Sequence, residues 1–260
     1  EFYKMNRYDA IIKIRKKLRN GGISIGSWMQ IPHGSVAEIM GHSGYDWVAI
    51  DMEHGSISNN QLPDLFRGIE LGGTLPLVRL AEGESKDCKE ALDAGAGGVI
   101  VPMVITAEQL IRVRDACRWP PSGTRGVGFS RANLFGQNFD SYQLEAQAPI
   151  LVAMIEHHHA IENLDEILAV EGLDAILIGP YDLSASMKLT AQFEHPEFES
   201  AMATILKKTR SAGVPAGVHV VQPSYDEIES RIKDGYRFLA YSIDSVMLLS
   251  VSKPSWLTNL

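Results

Sequence analysis

Residues able to do chemistry stand at the ends of apolar runs. "WVAIDMEHG" (47–55) ends in Asp51, Glu53 and His54, and "LPLVRL" (75–80) carries Arg79. "ILVAMIE" (150–156) ends in Glu156, and "AILIGPYD" (175–182) ends in Gly179, Pro180, Tyr181 and Asp182. "PAGVHV" (215–220) carries His219, and Trp28 lies near the end of "ISIGSWM" (23–29). Glu156 and Asp182, on successive runs, form a carboxylate pair that leaves coordination positions for water and substrate. Such hard oxygen ligands favour Mg²⁺ or Mn²⁺, with Co²⁺ as an alternative. Asp182 taken singly also reads as a helix N-cap.

Directly after Glu156 come three histidines, His157 to His159. Neighbouring side chains point in different directions on a strand or at a helix start, so the three rings are expected not to face one ion. The i, i+4 spacing of H-E-x-x-H is absent. The run therefore reads as a partly solvated loop and helix start, with Glu156 as the ligand.

Eight apolar runs must position these groups: the six above, with 47–51 and "AILIG" (175–179) as the strand parts of their runs, and also "GVIVPM" (98–103) and "RFLAYS" (237–242). Runs of this length suit strands buried on both faces of a parallel sheet. Amphipathic stretches such as "KDCKEALDAG" and "EFESAMATILKKTRSAG" alternate with them, several ending in Gly. The pattern predicts an α/β fold, a single (β/α)8 TIM barrel domain over 1–260; a doubly wound open sheet is the alternative. Chemistry in such a barrel gathers where strands end and βα loops begin. The irregular segment 120–148 reads as a long loop on the active-site side, with a short helix. The basic run "KIRKKLR" (13–19) reads as a solvated helix face. Residues 1–4, before Met5, read as an addition to the natural start.

Composition narrows the function classes. The chain has 260 residues, 45% of them hydrophobic, ample for a packed core. A formal net charge of −8 argues against nucleic-acid binding. No stretch is apolar enough to span a bilayer, and no signal segment opens the chain, so no membrane partner is expected. Cys88 and Cys117 fit no ligand spacing or disulfide scaffold, which favours a cytoplasmic setting.

The blocks "AIDMEHG", "LVRL", "GVIVPMV", "WPPSGTRGVG", "MIE", "VEGLDAILIGPYDLSASM" and "HPEF" occur in order from about residue 20 to 245. In combination they resemble the HpcH/HpaI aldolase family, the class II, metal-dependent pyruvate aldolases. Known members include 2,4-dihydroxyhept-2-ene-1,7-dioate aldolase and 2-keto-3-deoxyglucarate aldolase; "SRANLFG" (130–136) is similar to a loop of the latter type. The resemblance implies Glu156 and Asp182 as metal ligands, His54 as the catalytic base and Arg79 against the pyruvate keto oxygen. It also implies the Gly179–Asp182 turn as the carboxylate seat, with Pro180 and Tyr181 in it. Asp51 and Asp93 would support the histidine, and Trp28 would line the pocket.

The implied activity is cleavage or formation of 4-hydroxy-2-oxo acids, giving pyruvate and an aldehyde through a metal-stabilised enolate. Partners would be small molecules and further copies of the chain, as a hexamer or trimer of dimers. Oxaloacetate decarboxylation on the same enolate, or a non-catalytic 2-oxo acid-binding barrel, are the alternatives. The sequence departs from the family at Met154, where many members carry glutamine, at the histidine run, and at the short C-terminus after "SIDSVMLLS".

Overall fold

The computed structural model describes residues 5–253; the leading tetrapeptide and the last seven residues lie outside it. Eight parallel strands close into a barrel in sequence order. They are β1 (Ser24–Met29), β2 (Trp47–Asp51), β3 (Leu75–Arg79), β4 (Gly98–Val101), β5 (Ile150–Ile155), β6 (Ala175–Ile178), β7 (Ala216–Val220) and β8 (Phe238–Ile243). The sheet closes, so the open-sheet alternative falls away. Each strand coincides with a predicted apolar run to within two residues at either end.

Side chains alternate between two cores because a strand has a period of two. Outward residues such as Val48, Ile50, Val99, Val101, Ile176 and Ile178 pack beneath the surrounding helices. Inward residues such as Trp47, Ala49, Leu75, Leu77, Ile150, Val152 and Met154 fill the barrel. Trp47 stacks on Phe238 at 4.6 Å and lies over Gly26, where a Cβ would come within 2.0 Å of its ring. Only glycine lets β1 pass that indole.

The helix Arg7–Arg19 plugs the end of the barrel where the strands begin, inserting Ile11, Ile14 and Leu18 among the inward residues. Its basic face divides. Lys13, Lys16 and Arg19 are exposed, whereas Arg15 pairs with Asp174 at 2.7 Å and Lys17 with Asp46.

The segment 118–149 follows the helix Ala107–Cys117 and precedes β5, so it runs along this same plugged end. Arg15 donates to the carbonyls of Ala148 and Pro149, and Arg7 pairs with Glu145 at 2.7 Å. The segment folds into the turn Arg131–Gly136 and the helix Phe139–Gln147. The expectation of an active-site-side loop is thus corrected: a connection leaving a helix and entering a strand lies opposite the strand ends.

Candidate active site

The inward series continue past the core into the barrel mouth. Along β2 it runs Trp47, Ala49, Asp51; along β3, Leu75, Leu77, Arg79; along β5, Ile150, Val152, Met154 and then Glu156. Alternation that buries the core thereby delivers the last residue of each series to one end.

Asp51 and Arg79 are direct partners across the β2–β3 ladder, and the guanidinium grips the carboxylate with two bonds. Arg79 Nε donates to Asp51 Oδ1 at 2.9 Å and Nη2 to Oδ2 at 2.6 Å. Asp51 also accepts from Gln30 Nε2 at 2.8 Å and from the backbone N–H of Glu53 and His54, both at 3.1 Å. Burial pushes the Asp51 carboxyl up, but the hydrogen bonds and charge of Arg79 outweigh it and hold the group below its ordinary value. On its other flank, Arg79 Nη1 lies 3.2 Å from Glu53 Oε2, an ion pair in which that oxygen accepts no hydrogen bond. The Arg79 carbon Cζ sits 4.7 Å over the Trp28 ring. Trp28 is fully buried and forms the floor beneath Arg79; it is not an open pocket wall.

Glu156 is buried just past β5. Its Oε2 accepts the Met103 N–H at 3.0 Å, from a residue held at φ 48° just past β4. Burial pushes its carboxyl up to about 7, and the charges of Glu53 and Asp182 add to the rise, against the Met103 N–H and Arg79. Glu53 is raised too, first by burial and then, against Arg79 and His54, by Asp51 and Asp182. Gly179 N-caps the short helix Pro180–Ser186, which carries Asp182 in its exposed first turn beside the exposed Tyr181. A buried carboxylate facing two further carboxylates, with one arginine already committed to Asp51, is a donor set that fits a divalent cation.

His54 presents its ring to solvent, with 59% of the side chain exposed. Asp51 holds its backbone; the carboxylate nearest its ring is Glu53, with Oε2 3.9 Å from Nε2. Asp93 does not join this group. It lies near the C-terminal end of the helix Ser85–Ala94, towards the plugged end, and pairs with the buried Arg125 at 3.3 Å. Within one chain, then, neither Asp51 nor Asp93 supports the His54 ring as expected. Met154 lies one inward layer below Glu156 and is buried.

Three residues belong here that sequence reasoning left without a role. Glu53 was visible at the strand end. Gln30 continues the β1 inward series one step beyond Trp28. His219 continues that of β7 from Gly217, packs edge-on to Trp28 at 5.8 Å and reaches the Ser242 carbonyl at 3.3 Å. A carbonyl only accepts, so Nε2 carries the hydrogen. Burial holds this imidazole down at about 4.

The histidine run is a further correction. Ring centroids of His157, His158 and His159 lie 4.1 to 5.0 Å apart, and one ligand atom from each falls within 4.8 Å of the others. Residue alternation does not separate them, because His157 caps the helix His158–Glu162 and the chain turns beneath the rings.

The sequence model of the HpcH/HpaI aldolase/citrate lyase family matches residues 24–250. A hydroxypyruvate/pyruvate aldolase of Roseobacter denitrificans is 38% identical over 92% of this chain and 93% of its own length. A 2-keto-3-deoxy-L-rhamnonate aldolase of Escherichia coli K12 is 37% identical over 90% of this chain and 87% of its own. The crystal structure of an HpcH/HpaI aldolase/citrate lyase family protein from Burkholderia cenocepacia superposes with a TM-score of 0.88 at 30% identity, covering 95% of this chain and 98% of that one.

Proposed function

Because the chain belongs to the HpcH/HpaI aldolase/citrate lyase family, we propose that it is a divalent-metal-dependent aldolase, a carbon–carbon lyase that cleaves or forms 4-hydroxy-2-oxo acids with pyruvate and an aldehyde as the other side of the reaction. The observation that carries this reading is the grouping of Glu53 and Glu156 beside one guanidinium, Arg79, at the open end of the barrel, with the charge of Asp182 felt by both carboxylates.

Glu156 and Asp182 would hold Mg²⁺ or Mn²⁺, with Co²⁺ also suited to the donors. Bound there, the cation supplies electrostatic stabilisation for negative charge developing on the keto oxygen and carboxylate of a 2-oxo acid. Arg79 adds a fixed positive charge that Asp51 and Trp28 orient before substrate arrives, so little reorganisation is needed during the reaction. The Gly179–Asp182 turn, with Pro180 and Tyr181, forms the seat for the substrate carboxylate. His54, exposed at the rim, takes the 4-hydroxyl proton on cleavage and returns it on condensation. No lysine is required, because no Schiff base forms.

We further place the enzyme in the cytoplasm as a homo-oligomer, a hexamer or trimer of dimers. The helix Asp244–Ser252 leaves Leu248, Leu249 and Val251 exposed, and both thiols are buried and unbridged. Among the described residues no helix is long and apolar enough to cross a membrane.

The test is pyruvate release from a panel of 4-hydroxy-2-oxo acids with and without EDTA. Turnover that vanishes in chelator and returns with Mg²⁺ or Mn²⁺ is the expected result. Undiminished turnover in chelator, or none with any substrate in metal, would overturn the reading.

A further inference from the structure

We propose that His157, His158 and His159 form a second metal site, one that takes a borderline transition-metal ion such as Zn²⁺, Ni²⁺ or Cu²⁺. Imidazole nitrogen suits these ions and is a poor ligand for Mg²⁺, whereas carboxylate oxygen suits Mg²⁺. The two donor sets are therefore chemically distinct although they adjoin in the chain.

Four observations support the assignment. One ligand atom from each histidine lies within 4.8 Å of the others, a concentration of imidazoles unique among the described residues. His158 Nδ1 is buried and has no hydrogen-bond partner, a state that a bound ion would relieve. His159 Nδ1 lies 3.1 Å from Glu162 Oε2. A carboxylate only accepts, so this nitrogen carries the hydrogen and Nε2 keeps the free lone pair, the arrangement that orients a metal-binding histidine. Finally, the His158 N–H donates to Ser186 Oγ at 2.9 Å, which ties the run to the helix that carries Asp182 and fixes its backbone.

His158 and His159 are then the primary ligands. His157 is the third, under competition, because its Nδ1 accepts the His159 N–H at 3.2 Å and a neutral imidazole has one lone pair. Zinc–nitrogen bonds of about 2.0–2.1 Å require the ligand atoms to draw inward from their present spacing. The His159 side chain is 54% exposed and has room to rotate. Three imidazoles leave a fourth position for water or an external ligand.

The experiment is calorimetric titration with Zn²⁺ and visible absorption of the Co²⁺-loaded protein, on the full chain. In Glu156→Gln, which cripples the oxygen site, one Zn²⁺ per chain should still bind, and Co²⁺ should give the intense visible bands of a tetrahedral nitrogen site. In the variant with His157, His158 and His159 all changed to alanine, that ion and those bands should be lost while Mg²⁺-dependent turnover persists. If removing the His157 cap unfolds the triple variant, His158→Gln and His159→Gln singly carry the test, each with weakened Zn²⁺ binding. Zinc stoichiometry and affinity unaffected by the histidine changes, or no zinc retained in Glu156→Gln, would overturn the site. The outcome is independent of the aldolase reading: an inactive protein that still binds Zn²⁺ through these histidines would sink the activity and leave the site standing.

Discussion

The Glu156 carboxylate occupies the space that a side chain on Gly179 would need: a Cβ built there would stand 2.4 Å from Oε1. The end of β5 and the start of the helix carrying Asp182 are thus fitted together at the one residue without a side chain. Gly179 has φ −95°, so its role is clearance and not backbone freedom. Gly179→Ala should push Glu156 away from its Met103 contact, cost about 1–3 kcal/mol of stability as an overpacked site, and weaken Mn²⁺ binding roughly 10- to 100-fold. Chemical denaturation and manganese titration of the variant check both. Unchanged affinity would mean that the carboxylate has another place to go.

Arg79 should tolerate no substitute, lysine included. Its fork meets Asp51 through two nitrogens and Glu53 through the third. A lysine offers one point charge and cannot span them. Arg79→Lys should lower kcat by roughly 10²- to 10³-fold, the worth of one oriented charge-stabilising donor. Asp51→Ala, which strips a buried charge of its main partner, should cost about 3–5 kcal/mol in unfolding free energy. Steady-state kinetics and urea melts are the measurements. A fully active Arg79→Lys would remove the arginine from the reaction.

Which of these groups the sequence disclosed follows from register. Asp51, Arg79 and Glu156 terminate alternating apolar series, and the parity that buries Ala49, Leu77 and Met154 also fixes where the next inward residue points. Asp93 sits on a helix, where that parity says nothing, and its pairing with Arg125 depends on how a distant segment folds back. The side on which 118–149 lies was implicit in element order, since it leaves a helix and enters a strand; irregular composition suggested function and hid the simpler topological cue. The histidine cluster depends on χ angles at a helix start, which residue spacing does not encode.

His219 makes stability depend on pH in a predictable direction. Folded, it loses its proton near 4; unfolded, near the ordinary value of about 6.5. Between those values the unfolded chain binds the extra proton, so stability rises with pH across this window and is level above it. The stabilisation present above about pH 6.5 and lost on acidification is at most about 3 kcal/mol. His219→Gln keeps a donor for the Ser242 carbonyl without a titrating ring, and its urea midpoint should fall less between pH 7.5 and pH 5 than that of the unaltered chain. Identical pH slopes for the two proteins would show that the imidazole is accessible to protons in the fold.

His54 is the group whose removal should separate two reactions of one site. Aldol cleavage of a 4-hydroxy-2-oxo acid and decarboxylation of oxaloacetate both develop negative charge on the pyruvate fragment, and under the proposed function both would draw on a cation held by Glu156 and Asp182 and on Arg79. Only cleavage also requires removal of a hydroxyl proton. The His54 ring stands at the solvent-exposed rim, with Glu53 Oε2 3.9 Å from Nε2 and its backbone anchored to Asp51, a position suited to meeting the outer part of a substrate. His54→Ala should therefore depress aldol cleavage by roughly 10²- to 10⁴-fold, the usual contribution of a positioned general base. Decarboxylation measured with the same metal should fall far less. Arg79→Ala should damage both, because it removes charge stabilisation they share. Parallel assays of pyruvate formation from the two substrates, on each variant, decide the matter. Equal losses of both activities in His54→Ala would assign the ring to orienting substrate or a metal-bound water, and the proton would have to leave through another group at the rim, with Glu53 the nearest candidate.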